Sequence, residues 1–338
     1  MDVFRKTVAV LCAISFVISG VLALFCFNIE KKAFTSATYK QAFENQNLYE
    51  RMPEILADAL FTASAGNANA GPYLKALTVE EWRAIIASLL PPEETKALTD
   101  DALDSTFDYL NDKTDSASVS LLPVKRNLAG PAGMEAMKLI LRAQPDCTAE
   151  QLLQMGLSFL GGDIALCNPP NEMLGLMTPL LESQLQITTA ALPDRIILIS
   201  GAQSATPDDP RLRLNRIRAL LKISPVFPLF FLVCVTALAA RTLVDWLKWW
   251  GAPFLITGGI SFLAAMLGAP ALAFIIQLVL QTQGAGFIPP ILFSTLRETV
   301  HAVSAQILRS VAVEGLVLTS LGFGMFAVAI FLAQKSQR

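Results

Sequence analysis

A chain of 338 residues in which 53% are apolar and only 16% charged, with a net charge of −2, is too greasy for an ordinary soluble domain. It contains one histidine, His301, and that lies near the C-terminal end. Residues 28–222 therefore cannot hold a Ser-His-Asp triad, a Cys-His pair or imidazole ligands for zinc.

The first predicted element is an uncharged apolar run over 7–27, preceded by Arg5 and Lys6. About 20 such residues match a bilayer core roughly 30 Å thick, and only a helix satisfies its backbone there. The run exceeds the length of a secretory leader and has no A-x-A pattern after it, so it reads as a signal anchor. Leu24-Phe25-Cys26 lacks the small residue of a lipoprotein site.

Residues 28–222 read as one mainly helical domain. Tyr39, Phe43, Tyr49, Met52, Ile55, Leu56 and Leu60 form an apolar stripe over two helices broken near Asn47. Thr78 and Glu81 make a capping box for a helix through Trp82, Ile85, Ile86 and Leu89, which Pro91-Pro92 ends. Thr99 is placed as the cap of the next helix, carrying Leu103, Phe107 and Leu110. Thr148 and Gln151 form a second box, leading Leu152, Leu153 and Leu157 to a stop at Gly161-Gly162. Residues 66–71 and 111–120 read as surface loops. Ile196–Ile199 has the composition of a short strand but no evident partner.

Cys147 and Cys167 are the only cysteines in this domain, since Cys12, Cys26 and Cys234 fall within spans. A bond between them would staple the 149–160 helix to the Cys-Asn-Pro-Pro turn, a structural role, because the spacing is not C-x-x-C. Two free buried thiols are the other reading. Charge is split along the domain. From Glu30 to Arg195 there are 22 acidic residues against 13 basic, whereas 208–222 holds two acidic and five basic. Arg211, Arg218 and Lys222 share one helical side, next to Leu214, Ile217 and Leu221. They suit phosphates at the membrane surface, or else the acidic body of the domain. The acidic excess argues against nucleic acid.

Three more spans follow, at about 223–241, 252–279 (bent at Pro270) and 310–333. Trp246, Trp249 and Trp250 occupy the connection between the second and third, as interfacial indoles do. An amphipathic segment over 292–309 has Phe293, Leu296, Val300, Val303 and Ile307 on one stripe, with Arg297, Glu298, His301 and Arg309 off it. Gly258, Gly259, Ala264 and Gly268, with Gly315, Gly322 and Gly324, mark close helix packing. With both termini cytoplasmic, six cations (Arg5, Lys6, Arg241, Lys248, Lys335 and Arg338) lie in inner segments, against Arg297 and Arg309 in the short outer one. Residues 28–222 then face outward.

Chemistry is sparse. No phosphate loop or dinucleotide fingerprint occurs. Asp100 with Asp101, and Asp104 with Asp108, read as a solvated face rather than paired catalytic acids. Lys125-Arg126 reads as a surface pair at a helix start, with anion binding the sharper alternative. Glu314 is the sole carboxylate in a span, and intramembrane charge is the usual mark of function. An interfacial position near the outer surface is its blander reading.

The run of motifs resembles a family of uncharacterised bacterial four-span integral membrane proteins with a large extracytoplasmic domain between spans one and two. The motifs are Phe34-x4-Tyr39, Leu48-Tyr-Glu-Arg-Met-Pro53, Cys147-Thr-Ala-Glu-Gln-Leu152, Cys167-Asn-Pro-Pro170 and Asp245-Trp-Leu-Lys-Trp-Trp-Gly251. The resemblance implies a bacterial cell membrane and brings no activity.

The expected fold is thus all-α: four transmembrane helices plus a mainly helical extracytoplasmic domain. No catalytic, cofactor-binding or metal-ligating residue is expected. The leading function is a non-catalytic scaffold or sensor whose outer domain binds an envelope partner. A transport or channel component acting as an oligomer, and a carboxylate-based envelope enzyme, are the alternatives.

Overall fold

The computed structural model describes residues 2–66, 71–158, 167–200, 210–283 and 290–335. Helices make up nearly all of it, with two short strands. Four helical stretches are long and apolar enough to cross a bilayer: Phe4–Ala33, Leu214–Ala239, Leu243–Gly268 and Leu292–Lys335. The chain is a multi-pass membrane protein. It divides into two compact units. One comprises Met1–Tyr39, Gln203–Ala285 and Arg297–Arg338; the other comprises Lys40–Ala202 and Gly286–Leu296.

The first helix, α1 (Asp2–Ala33), runs six residues past the apolar stretch because nothing interrupts it. The side chain of Asn28 donates to Leu24 O at 2.9 Å, within the same helix. The second unit accordingly starts at Lys40 rather than at residue 28.

In that unit α2 (Ser36–Asn45) and α3 (Leu48–Gly66) are separated where expected. Asn47 has φ +49°, a left-handed conformation that Asn tolerates better than most side chains. Then come α4 (Pro72–Lys75) and α5 (Val79–Leu89). The box on α5 is complete: Glu81 N donates to Thr78 Oγ1 at 3.3 Å, and Thr78 N donates to Glu81 Oε2 at 2.7 Å.

The next helix, α6 (Pro92–Leu110), corrects the sequence reading: it starts at Pro92, and Thr99 lies inside it. Proline fits the first helical position because its missing N–H has no partner there in any helix. Thr99 turns its hydroxyl back to Thr95 O at 2.8 Å instead of capping.

Residues 111–120 are not all loop, since β1 (Ser116–Ser120) lies within them. Beyond it are α7 (Leu122–Ala129), α8 (Pro131–Arg142), α9 (Ala149–Ser158), α10 (Asn171–Ala191) and β2 (Arg195–Ser200). β2 pairs antiparallel with β1, with a bulge between Ala117 and Ser118, which supplies the partner that Ile196–Ile199 lacked. The Thr148–Gln151 box is present on α9. The stop expected at Gly161-Gly162, and residues 67–70 of the first loop, lie outside the described residues.

α8 serves two cores at once. Met134 and Leu141 pack with Leu174, Met177, Leu181 and Leu185 of α10, while Ala136 joins Leu77 and Ile85, with Trp82 and Leu89 around them. The disulfide between Cys147 and Cys167, with Cα atoms 5.0 Å apart, borders the first core. Its strands are stitched by Cys147 N donating to Asn168 O and Asn168 N donating to Pro145 O.

The membrane unit adds α11 (Pro210–Ile223), α12 (Val226–Ala239), α13 (Leu243–Gln283) and, from Arg297 onward, α14 (Pro290–Lys335) to α1. α12 alone would rise only about 21 Å. The span reaches bilayer length by taking in α11 from Leu214 across the short turn at Ser224-Pro225.

Two expectations for the C-terminal part are revised. The third helix starts at Leu243, not 252, because Thr242 caps it: Asp245 N donates to Thr242 Oγ1 at 3.1 Å. Trp246, Trp249 and Trp250 therefore sit on helix rather than in a connection. The amphipathic segment 292–309 is continuous with the last span in α14, since no glycine or proline occurs between residues 291 and 314 to break it.

α13 and α14 meet almost backbone to backbone. A Cβ on Gly258 would lie 2.5 Å from Gly315 O, and one on Gly315 would lie 2.9 Å from Gly258 O. Seven residues away, Gly251 and Gly322 face each other in the same manner. Down α13, Trp246, Trp250 and Phe254 stack in steps of four residues and end against Phe16 of α1. Trp250 Nε1 donates to Thr236 Oγ1 at 2.8 Å, satisfying its indole N–H on α12.

Candidate functional site

Glu314 lies on α14, half-buried within the membrane unit. Its Oε2 accepts from Asn28 Nδ2 at 2.7 Å, and the same amide also donates to Leu24 O. Asn28 is 1% exposed, so α1 carries a buried amide whose two N–H groups are both spent, one of them on holding a carboxylate. Sequence reading singled out Glu314 and passed over Asn28, because Asn28 stood where the span was expected to stop.

Beside the carboxylate a cleft of about 430 Å³ opens between α1, α12, α13 and α14. Its wall is almost entirely apolar, with Phe16, Leu24, Phe27, Leu229, Leu232 and Phe254 forming most of it. Thr257 also lines it, 1% exposed, and its hydroxyl has no partner among the described residues. Ser261, one turn further along α13, is likewise buried with an unpartnered hydroxyl.

Next to this cleft, charge gathers around Glu30 of α1. Arg218 Nη2 lies 3.2 Å from Glu30 Oε1, and Lys222 Nζ lies 3.5 Å from it. The Arg218 guanidinium also sits over the Phe34 ring, 4.9 Å from its centroid. Arg218 is thus turned inward and mostly buried, whereas the Lys222 side chain is 61% exposed. Arg211 occupies the first turn of α11. Of the three cations read as membrane-surface contacts, the structure commits Arg218 to the interior and leaves Lys222 outward.

The four aspartates of α6 are each engaged separately. Asp100 accepts from Tyr49 OH at 2.9 Å, Asp101 from Ser120 N at 2.8 Å, Asp104 from Lys40 at 2.6 Å and Asp108 from Lys113 at 2.8 Å. They hold α2, α3 and β1 in place and form no facing pair. Burial, reinforced by Asp100, pushes the Tyr49 phenol well above its usual value. Lys96 pairs with Glu44 and lies over the Tyr49 ring, which raises its own ammonium pKa through the Glu44 contact. Lys125 is bound to Asp194 Oδ1 at 2.5 Å and to Leu192 O at 2.8 Å, so it ties α7 to the start of β2. Arg126 beside it is exposed.

A different feature of the domain went unread in the sequence. α10 is apolar over more of its surface than the core covers. Leu174, Met177, Leu181 and Leu185 fill the core, yet Met173, Leu176, Leu180 and Ile187 line the opposite face, with Leu176 79% exposed. β2, the next element in the chain, is apolar and exposed as well, as Ile196, Ile197, Leu198 and Ile199 all show. The outer edge of β1 is covered, because Ser118 N donates to Ser105 Oγ and Ser120 N to Asp101 Oδ2. The outer edge of β2 pairs with no strand among the described residues. The signal was present in the Leu-rich composition of 173–187, but an apolar arc wider than one core needs does not reveal which part of it faces out.

Among the described residues no group of three or more acids, histidines or cysteines converges as a metal site would. No family model, curated protein or solved structure matches the chain.

Proposed function

We propose that this chain is a non-catalytic scaffold or sensor of the bacterial cell envelope, anchored by four spans. Its domain, on the extracytoplasmic side, receives a protein partner on α10 and β2. The observation that carries the reading is an exposed apolar stripe on α10 together with an apolar edge strand, β2, whose outer edge pairs with no strand among the described residues. Exposed apolar surface of this kind is uncommon on a domain that has no partner, and an open strand edge supplies ready N–H and C=O groups. The partner that fits is an extended apolar segment, adding a strand beside β2 and resting side chains on Leu176 and Leu180.

The outward placement rests on the excess of cations in the inner segments and on a disulfide suited to an oxidising compartment. Against an enzyme stands the engagement of Asp100, Asp101, Asp104 and Asp108, each in a structural contact of its own.

A photo-activated crosslinking side chain at Ile197 or Leu180, in cells, tests this. Adducts with an envelope protein are expected from both positions and not from exposed Glu93. An adduct of twice the chain mass would make a second copy the partner. Adducts with cytoplasmic proteins would reverse the orientation, and silence at both positions would remove the reading.

A further inference from the structure

We infer that the cleft beside Glu314 holds a membrane phospholipid whose headgroup carries a primary ammonium. Glu314 is a carboxylate inside a span, and among the described residues no cation approaches it. Asn28 occupies Oε2 and has no N–H left to give, so Oε1 faces its surroundings as an unsatisfied acceptor. An uncompensated carboxylate within a span is costly, and a cation or a protonated donor is what relieves it.

The cleft decides which cation. A hard metal ion takes six or so oxygens. Here Glu314 and the orphan Thr257 hydroxyl are the polar groups on the wall, and the rest is Phe, Leu, Pro, Ala and Gly. Such a wall suits a hydrocarbon chain, and about 430 Å³ is the volume of a small-ligand site. Leu229, a lining residue, is 59% exposed on the span surface, so the mouth opens toward lipid.

The other half of a zwitterion has a place too. Lys222 precedes the lining residue Pro225 by three residues, is largely exposed and lies 3.5 Å from Glu30. Asn28 and Glu30 are separated by about 3 Å of helix rise. The cation for a phosphate and the anion for an ammonium therefore fall near one height along α1. A choline headgroup, with no N–H, could not give Oε1 the hydrogen bond it lacks.

The test is native mass spectrometry of the full chain released from detergent. It is titrated with phosphatidylethanolamine, phosphatidylglycerol and phosphatidylcholine of matched chains. Ethanolamine lipid is expected to be retained about ten-fold over the others, roughly 1.4 kcal/mol. Glu314→Gln, which keeps an acceptor for Asn28, should bring the three to parity. Leu229→Trp, which narrows the mouth without touching the carboxylate, should lower retention of all three. Equal retention by the unaltered protein overturns the inference whether or not either variant folds. So does an ethanolamine preference that survives Glu314→Gln, or retention of free dodecylamine with none of the phospholipid.

Discussion

The two units differ in their tightest places, although Val235 and Val311 of the membrane unit are as fully buried as any side chain of the domain. In the domain the side chains most fully removed from solvent include Leu48, Ile55, Leu77 and Leu141, large and branched, as expected where expelling water drives assembly. In the membrane unit many of the tightest places belong to Gly251, Gly258, Gly315 and Gly322, together with Ala9, Thr257, Ser261 and Ala329. Lipid is as apolar as leucine, so burying a large side chain there gains little, and close fit of backbones takes over. The lesson is that one substitution, small to large, should be tolerated differently in the two halves of one chain.

The sharpest way to break this contrast is Gly258→Leu. The added side chain must enter the space held by Gly315 O and Thr319 N, both 2.5 Å from where its Cβ would stand. Backbone cannot step aside as a side chain can, so a loss of about 3 kcal/mol or more is expected, enough to disrupt the α13–α14 contact. Gly259→Leu, the neighbouring residue with nothing within 4 Å, should be nearly neutral. Thermal unfolding of both variants in the same detergent checks this. Equal loss in the two would mean that glycine spacing along α13 has no bearing on the pairing.

How much of this was legible follows from the range over which each signal acts. The break at Asn47, both capping boxes and the pairing of Cys147 with Cys167 are written within a few residues, or depend on there being only one available partner. All are present. Of the seven small residues flagged for packing, Gly258, Gly315 and Gly322 lie at the backbone contact, while Gly259 and Gly324 face open space, and Gly251 was missed. Composition marks a helix as able to pack closely, but the rotation of the helix chooses the residues. β1 was illegible because Ser-Ala-Ser-Val-Ser alternates with only Ala117 and Val119 on its apolar side, too small a stripe to stand out among serines. It is a strand because β2 and two side chains of α6 supply its hydrogen bonds from elsewhere in the chain. The Asn28–Glu314 contact spans 286 residues and joins a charge that was noticed to an amide that was not.

A smaller effect separates the units by redox state. Replacing Cys147 and Cys167 by serine should cost the domain about 3 kcal/mol, since the bond closes a loop of 20 residues next to the α8–α10 core. The membrane unit should be indifferent, because its cysteines, Cys12, Cys26 and Cys234, are free. Trp82 is the one tryptophan of the domain, so a background with Trp246, Trp249 and Trp250 changed to Phe makes its fluorescence a private reporter of that unit. The expected outcome is an earlier denaturant midpoint by Trp82 emission with unchanged helicity of the spans. A midpoint unmoved by the loss of the bond would mean that α8 and α10 hold the α9 region without it.

The smallest expected effect tests how a threonine is used. Thr78 and Thr99 look alike in sequence, each a hydroxyl three residues or so before an apolar helical stripe. Only Thr78 has a backbone N–H to receive, from Glu81, and returns one of its own. Thr99 arrives after α6 has already begun at Pro92, so every N–H near it is committed to the helix and its hydroxyl can only donate back to Thr95 O. Thr78→Ala should therefore cost about 1 kcal/mol. Thr99→Ala removes a contact that competes with the helix rather than starting it, and should fall within about 0.5 kcal/mol of zero. The same Trp82 reporter reads both, since Trp82 lies in the first turns of the helix that Thr78 caps. If the two losses were equal, α6 would be starting at Thr99 in solution, and Pro92 would be the end of a turn rather than the first residue of a helix.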